Sequence, residues 1–276
     1  MCLIVFDWRP DTVDGPLFTL AANRDEFFRR TAEPMHWWSE APALLAGRDL
    51  VGGGTWLGMS RDGRFAALTN YRAPHEMRPD APTRGTLVSN WLLGEPSAQF
   101  APLDYLRQVA KDGDIYNGFN LLVGDWSRRE LGWYCNRSAA GPALLAAGTH
   151  GISNAVLDTP WPKLVRKRSE LGALLAADPL VPLERLIDLM RDPRLARDDE
   201  LPSTGIPLER ERLLSAAFIE SPEYGTRGTT ALRVVANCTH GEHVSAAVAE
   251  RSDDNGSHRV ARPGDFERSF AFNIER

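Results

Sequence analysis

The order of strand-like and helix-like segments is the feature that most constrains the fold of this chain. Apolar runs at residues 3–7 and 17–22 flank a segment dense in turn residues, and Asp62-Gly63 separates another pair of apolar runs, a strong hairpin signal. Helical periodicity fills the middle of the chain, above all residues 158–177, and strand-like runs return near the end. This order predicts an α+β fold of antiparallel sheets covered by helices, rather than a doubly wound parallel sheet.

The composition is typical of a globular protein. The chain has 276 residues, of which 43% are hydrophobic and 25% charged, and we predict one domain over residues 1–276 because no repeat or low-complexity segment divides it. The net charge of -5 does not predict a nucleic-acid partner, which would favour a basic surface. The Lys/Arg-rich stretch at residues 163–168 is interpreted as the solvated face of a helix.

The sequence gives no sign of a membrane or secretory destination. No apolar stretch approaches the ~20 residues that a membrane span needs, and the first residues lack the basic region of a secretory signal. We therefore expect a cytoplasmic protein with no membrane span, and the sequence leaves its oligomeric state open.

The cysteines do not indicate a disulfide or metal framework. Cys2, Cys135 and Cys238 are odd in number and far apart, unlike the close spacing of zinc or iron–sulfur sites. His240 and His243 resemble a metal-binding pair, but they fall in a predicted turn without a nearby third ligand. No metal site is predicted.

Cys2 is the first candidate for chemistry. Removal of the initiator methionine would leave its thiol beside a free α-amine, and the ordinary pKa values of the two groups, about 8.5 and about 8, are close. One residue would then supply both nucleophile and base. The alternative interpretation is that cysteine stands at position 2 by chance.

Asn23-Arg24-Asp25-Glu26 is the second candidate, because the predicted hairpin returns it to the neighbourhood of Cys2. An arginine beside a thiol lowers the thiol pKa, and a carboxylate can hold an α-ammonium. The alternative is a polar strand end with a surface ion pair of little energetic value.

Two asparagines and one arginine complete the set of candidates. Asn70 closes the second predicted hairpin, and Asn154 directly precedes the long helix; both amides are able to donate to an oxyanion or simply to form turns. Arg227 lies in a tight, glycine-flanked segment before a predicted strand, either to bind an anionic substrate group or as an exposed residue. Trp37-Trp38 is interpreted as aromatic core in preference to a pocket lining.

These residues together resemble the NRDE family, also called the transport and Golgi organisation 2 family. The resemblance extends from residue 1 to about residue 235. Its landmarks are Met1-Cys2, Ala22-Asn23-Arg24-Asp25-Glu26-Phe27, Gly53-Gly54-Thr55-Trp56-Leu57-Gly58, Leu68-Thr69-Asn70-Tyr71-Arg72, Gly151-Ile152-Ser153-Asn154, Asp158-Thr159-Pro160-Trp161-Pro162-Lys163 and Tyr224-Gly225-Thr226-Arg227.

That family is in turn similar to the N-terminal-nucleophile (Ntn) cysteine hydrolases that cleave bile-salt and penicillin amides. The resemblance implies an αββα sandwich in which Cys2 attacks a carbonyl group. It further implies that Asn154 and Asn70 stabilise the oxyanion, and that a further arginine acts in the site. Arg227 and Arg212 both compete for that last position.

The motif on the second strand departs from the pattern of those amidases, in which an arginine and an aspartate are separated by two residues. Here Arg24 and Asp25 are adjacent and Glu26 follows. Either Arg24 with Asp25, or Asn23 with Glu26, would fill the two roles.

Two functions follow as expectations. The first is a hydrolase that cleaves an amide or thioester acyl substrate through Cys2 and needs no cofactor. The second is a binding or trafficking protein that holds haem or an acyl lipid in the same pocket, with Trp37, Trp38 and Trp56 as lining residues. The chain has no Cys-Pro pair of the haem-regulatory kind, so haem would need a His, Tyr or Met ligand or a pocket without axial ligation.

Overall fold

Two antiparallel β-sheets pack face to face in the computed structural model, which describes residues 2–94, 101–237, 243–252 and 266–275. The predictions about Met1, Cys238 and His240 lie outside these residues. The strands are β1 (Cys2–Trp8), β2 (Asp14–Phe27), β3 (Ala32–Trp38), β4 (Ala41–Asp49), β5 (Leu57–Ser60), β6 (Arg64–Asn70), β7 (Phe119–Asp125), β8 (Glu130–Cys135), β9 (Ala143–Leu144), β10 (Gly148–Ile152), β11 (Tyr224–Asn237), β12 (His243–Ser252) and β13 (Phe266–Asn273). The α-helices are α1 (Gly85–Leu93), α2 (Pro102–Lys111), α3 (Pro162–Ala177), α4 (Leu183–Met190) and α5 (Leu208–Leu213).

The strand order explains why tight turns dominate the sequence. The first sheet runs β10-β1-β2-β11-β12-β13, and the second runs β3-β4-β5-β6-β7-β8-β9. Most neighbours in the sheets are also neighbours in sequence, as short antiparallel connections require. The hairpin predicted around Asp62-Gly63 is present between β5 and β6, where Gly63 takes a φ of 91° that favours glycine.

The hydrophobic core lies between the two sheets, and a helical layer covers each outer face. Aromatic rings of both sheets meet in the middle, with Phe18 centred 5.2 Å from Phe65 and 4.8 Å from Trp126. Helices α1 and α2 cover the second sheet, and α3 and α4 cover the first. The predicted α+β architecture, an αββα sandwich, is therefore confirmed.

Side chains along β2 alternate between these two environments. Leu20 and Ala22 belong to the core between the sheets, whereas Ala21 packs under α3 and α4. The alternation of a strand continues into the polar motif. Arg24 consequently lies on the inner face with Ala22, and Asp25 on the outer face with Ala21.

The boundary predicted for β2 was wrong. Asn23 to Glu26 lie inside the strand rather than after it, because β2 is paired on both sides. Its partner β1 reaches Arg24, and β11 continues the pairing to Phe27. Paired backbone groups make an extended conformation favourable even for a charged tetrapeptide.

Two predictions about α3 were also wrong. The helix begins at Pro162 rather than at Asp158, which has a φ of 57° and accepts the backbone N–H of Gly151 instead of capping a helix. The supposed solvated face is not solvated, since Lys163 and Lys167 are only 1% and 2% exposed. Both lysines lie on the side of α3 that packs on the first sheet.

Among the described helices, none is both long and apolar enough to span a membrane.

Candidate active site

Cys2 lies where two cavities meet. It is the first residue of β1, directly opposite Arg24 of β2, and its side chain is half-buried. Cys2, Arg24, Trp56 and Leu68 line both cavities. A ligand that occupies both would therefore pass the thiol.

The first cavity extends between the two sheets and is mainly apolar. Its inner part contacts the core around Ile4 and Ala22, and Glu250 provides a buried carboxyl group at its wall. Burial raises the pKa of the Glu250 carboxyl, which accepts hydrogen bonds from the Met35 N–H at 2.7 Å and the Thr230 hydroxyl at 3.2 Å. The lining residues specific to this cavity include Ile4, Ala22, Pro34, Leu57, Arg227 and Glu250.

The second cavity is polar and rich in arginine. Arg24, Arg30 and Arg84 line it together with Glu26 and Asp49. Arg30 is held by Asp49 at 2.7 Å, and Arg84 donates to the Gly118 carbonyl at 2.9 Å. Both arginines are thus fixed in place before any ligand binds.

The environment of Cys2 favours the neutral thiol. Burial raises the thiol pKa, and the nearby Asp25 carboxylate raises it further. The backbone N–H of Asp25 and the charge of Arg24 lower the pKa in part. Because the net direction is upward, a nucleophilic Cys2 needs a group that takes its proton.

Arg24 is positioned from the inner face of β2. Its guanidinium lies 4.2 Å from the centre of the Trp56 ring, a cation–π contact. Burial lowers the Arg24 pKa, and Glu26 on the same face of the strand opposes that shift. Glu26 accepts the Phe27 N–H at 2.8 Å and lines the polar cavity. Arg24 and Glu26 therefore belong to the cavities with Cys2.

Asp25 also lines the polar cavity with Cys2, but its side chain lies on the outer face of β2 and is 1% exposed. The Thr226 hydroxyl accepts the Ile219 N–H at 2.9 Å and donates to Oδ1 of Asp25 at 2.6 Å. Burial raises the Asp25 pKa, and the charge of Lys163 is the largest influence that lowers it. The carboxylate reaches Cys2 electrostatically, at the end of the sheet, rather than from the same face.

Asn23, predicted to bind substrate, is occupied with structural hydrogen bonds. Its amide donates to the main-chain carbonyls of Met190, at 3.0 Å, and Ala217, at 2.7 Å. Its Oδ1 accepts the Thr229 hydroxyl at 2.7 Å. Although Asn23 borders the apolar cavity, its polar atoms fasten β2 to the helical layer.

Asn70 and Asn154 lie next to each other and make different contacts. Asn70 ends β6 and lines the polar cavity with Cys2. Asn154 is 1% exposed, and its amide donates to the main-chain carbonyl of Asn70 at 2.9 Å. The Arg72 N–H donates back to the Asn154 carbonyl at 2.7 Å. Asn70 is thus the nearer candidate for contact with a substrate, and Asn154 holds it.

Arg227 owes its position to a β-bulge. Thr226 pairs with Asp25 and Gly228 with Arg24, so Arg227 is an extra residue in β11. The bulge directs Arg227 into the lining of the apolar cavity, where it donates to the Arg30 carbonyl. Arg212, the competing candidate, forms a largely exposed ion pair at 2.7 Å and lines neither cavity.

Lys163 is the residue that sequence reasoning missed. Its ammonium is buried close to Asp25 and Cys2, and burial lowers its pKa to about 8. The signal that would have found it is spacing: Lys163, Lys167 and Leu171 are four residues apart and form one stripe of the helix, and Leu171 is fully buried.

The tryptophans divide between pocket and core. Trp56 lines both cavities, as expected for a pocket residue. Trp37 packs against Phe270 and Phe272, and Trp38 lies in the core under α1 and α2. Trp37 and Trp38 therefore do not line the pocket. Within the described residues, no group of three His, Cys, Asp or Glu side chains is arranged to hold a metal ion.

The fold and the site together define a class of protein: an αββα sandwich with a half-buried thiol at the start of its first strand. Within that class, the chain belongs to the transport and Golgi organisation 2 family, whose model, described as "Transport and Golgi organisation 2", matches residues 1–247.

Relatives from several animals support this membership. The Transport and Golgi organization protein 2 homolog of Homo sapiens is 34% identical over 281 residues, which cover 96% of this chain and 99% of that protein. The homolog of Bos taurus is 38% identical over 253 residues, covering 86% of this chain and 90% of that protein. Among solved structures, the mutant C2A conjugated bile acid hydrolase from Clostridium perfringens matches 99% of this chain and 98% of its own, with a TM-score of 0.45 and 10% identity.

Proposed function

We propose that this protein is an Ntn-type cysteine hydrolase that cleaves an amide or thioester acyl substrate through Cys2. The observation that carries the proposal is the position of the thiol at the junction of an apolar and a polar cavity. The two cavities enclose about 520 Å³ and about 630 Å³ of space when the open solvent at their mouths is included. The acyl chain would occupy the first and the polar part of the substrate the second.

The reaction would proceed through an acyl-enzyme. The Cys2 thiol loses its proton and Sγ bonds to the substrate carbonyl carbon, while the C–N or C–S bond breaks and the leaving group takes up a proton. Water then hydrolyses the thioester on Cys2 and regenerates the thiol. Arg24 would favour the thiolate, and the Asn70 amide, held by Asn154, would donate to the oxyanion. An α-amine at Cys2 would be the base if Met1 is removed.

The test combines mass spectrometry with hydrolysis assays. Purified protein is measured intact to establish its N-terminus, and is then incubated with amides and thioesters of graded acyl length. We expect a transient acyl adduct on the Cys2 peptide and at least a 10³-fold loss of hydrolysis in Cys2→Ala. Cys135→Ala is the matched control, because Cys135 is a free, buried thiol of the second sheet. Hydrolysis by Cys2→Ala at the wild-type rate would contradict the proposal.

The upward shift of the thiol pKa favours a second candidate, a protein that binds an acyl lipid or haem without turnover. Within the described linings of the two cavities there is no histidine, tyrosine or methionine, so haem would bind there either with Cys2 as its ligand or without axial ligation. A haem titration followed by absorbance tests this candidate: a saturable spectral change in wild type that is altered in Cys2→Ala supports it, and no saturable change contradicts haem binding.

A further inference from the structure

Lys163 is a buried cation at the start of α3. It lies in the first turn of α3, is 1% exposed, and its Nζ has no hydrogen-bond partner among the described residues. A buried ammonium loses its hydration, and nearby opposite charges must offset that loss. The charges around Lys163 therefore indicate what keeps it in the fold.

Among the described residues, the charges of ionisable groups from four other segments act on Lys163. Asp25 of β2 is the strongest attractive charge, and Cys2 of β1 and Glu211 of α5 also favour the ammonium. Arg72, which follows β6, opposes it. Burial outweighs the attraction and lowers the Lys163 pKa to about 8.

The relation between Lys163 and Asp25 is reciprocal. Burial raises the Asp25 pKa, and Lys163 is the largest influence that lowers it. Asp25 in turn acts on the thiol, since its charge raises the Cys2 pKa and its backbone N–H lowers it. A chain of influence thus leads from Lys163 through Asp25 to Cys2.

Lys167 shows what a purely structural lysine looks like on the same helix. It is 2% exposed, almost as buried as Lys163. Its ammonium, however, contacts Glu170 at 2.6 Å and Asp192 at 2.7 Å. A buried lysine on α3 can thus have carboxylates in direct contact with its ammonium. Lys163 differs from Lys167 in having no such contact among the described residues.

We propose that Lys163 is a positioning residue of the Cys2 site, acting through Asp25 as the buried counter-charge that keeps this carboxylate ionised beside the thiol. The inference rests on the proposed function in taking Cys2 as the nucleophile. It assigns to α3, a helix that lines neither cavity, a part in setting the charge of the site.

The inference has a defined pH dependence. Below pH 8 the ammonium balances the Asp25 carboxylate. Above pH 8 Lys163 loses its proton, because its pKa is about 8, and the uncompensated carboxylate raises the thiol pKa further. The logarithm of the Cys2 alkylation rate should therefore rise less steeply with pH above about 8 than below it.

The experiment measures the rate of Cys2 alkylation by iodoacetamide between pH 6 and pH 10, read by mass spectrometry of the Cys2 peptide. We expect the change of slope in wild type, its loss in Lys163→Met, and its retention in Lys167→Met. Lys163→Arg should lose it too, since a guanidinium stays protonated over this range, and this variant keeps the buried charge if Lys163→Met does not fold. In Asp25→Asn the change of slope should be lost or strongly reduced, because the carboxylate through which Lys163 acts on the thiol is gone.

A change of slope that persists in Lys163→Met or Lys163→Arg belongs to another group, such as the α-amine, and overturns the inference. So does a change of slope that Asp25→Asn retains in full, because Lys163 would then act on the thiol without Asp25. The assay needs no turnover. A protein that hydrolyses no acyl substrate but shows the Lys163-dependent profile would refute the proposed function alone, and the reverse result would refute the role of Lys163 alone.

Discussion

Neighbouring residues of the polar motif on β2 point to opposite sides of the sheet and contact different layers of the fold. Arg24 and Glu26 point between the sheets into the cavities. Asn23 and Asp25 point outward, where they bond to the helical layer and to the threonines of β11. The bulge at Arg227 is what brings Thr226 and Thr229, three residues apart, to the same outer face.

Asn23 should therefore matter for stability more than for reactivity. Asn23→Ala removes three buried hydrogen bonds and leaves their partners unsatisfied, so we expect a loss of about 3 kcal/mol in the free energy of unfolding. Urea denaturation measures it, with the exposed helical Asn90→Ala as a control expected to change by under about 0.5 kcal/mol. An undiminished stability, or a Cys2 alkylation rate changed more than twofold in the folded protein, would contradict this assignment.

At the scale of elements, the loop between β10 and α3 positions Asn154. The N–H of Gly151 donates to the Asp158 carboxylate at 2.8 Å, and the Asp158 N–H returns to the Gly151 carbonyl at 2.8 Å. Further along the loop, Thr69 of β6 donates to the Ser153 carbonyl at 2.6 Å. The loop is therefore closed on itself and fastened to the opposite sheet.

His150 gives this loop a pH dependence. Its hydrogen bond to Asp158, at 2.8 Å, raises the His150 pKa, so the stabilisation is complete below the unfolded pKa of about 6.5. It is lost as the pH rises through the folded pKa. The difference in unfolding free energy between wild type and His150→Gln should be larger at pH 6 than at pH 9.

Urea denaturation at both pH values checks this expectation. His36→Gln is the control, because His36 contacts Glu33 only at 3.6 Å in a more exposed setting. A difference for His150→Gln that is equal at the two pH values would show that the hydrogen bond to Asp158 does not favour the protonated ring.

The sequence predicted elements where local signals decide them. The Asp62-Gly63 turn and the helical periodicity within residues 158–177 needed no tertiary information, and the structure has a hairpin and helix α3 there. The end of β2 and the burial of Lys163 depended on partners far away in sequence, on β11 and on the packing of α3. A charged tetrapeptide and a Lys/Arg-rich helix have the local composition of exposed segments, so their true environment was not predictable from composition.

At the scale of the whole molecule, a buried ion pair joins layers distant in sequence. Arg72 follows β6 of the second sheet, and Glu211 lies on α5; their charged groups are 2.5 Å apart with side chains 6% and 3% exposed. Arg137 and Glu76 are also 2.5 Å apart, but Glu76 is 57% exposed. The two pairs differ in burial at equal distance.

Their removal should therefore have unequal effects. Glu211→Gln leaves Arg72 with a weakened partner in the interior, and we expect a loss of about 3 kcal/mol or more in unfolding free energy. Glu76→Gln should change it by under about 1 kcal/mol. Chemical denaturation of both variants measures the difference, and equal losses would show that burial does not decide the strength of these pairs.

The alternation of side chains between the two faces of β2 also constrains which substitutions the motif tolerates. Exchanging the neighbours Asp25 and Glu26 leaves the composition of the motif unchanged. It would, however, place the longer glutamate side chain on the outer face of the sheet and the shorter aspartate side chain on the inner face. We expect substitutions at Asn23 and Asp25 to vary together with the threonines of β11 that their side chains contact, and those at Arg24 and Glu26 to vary with other residues that line the cavities. The four residues of the motif therefore form two pairs under separate structural constraints, and the two pairs alternate along one strand.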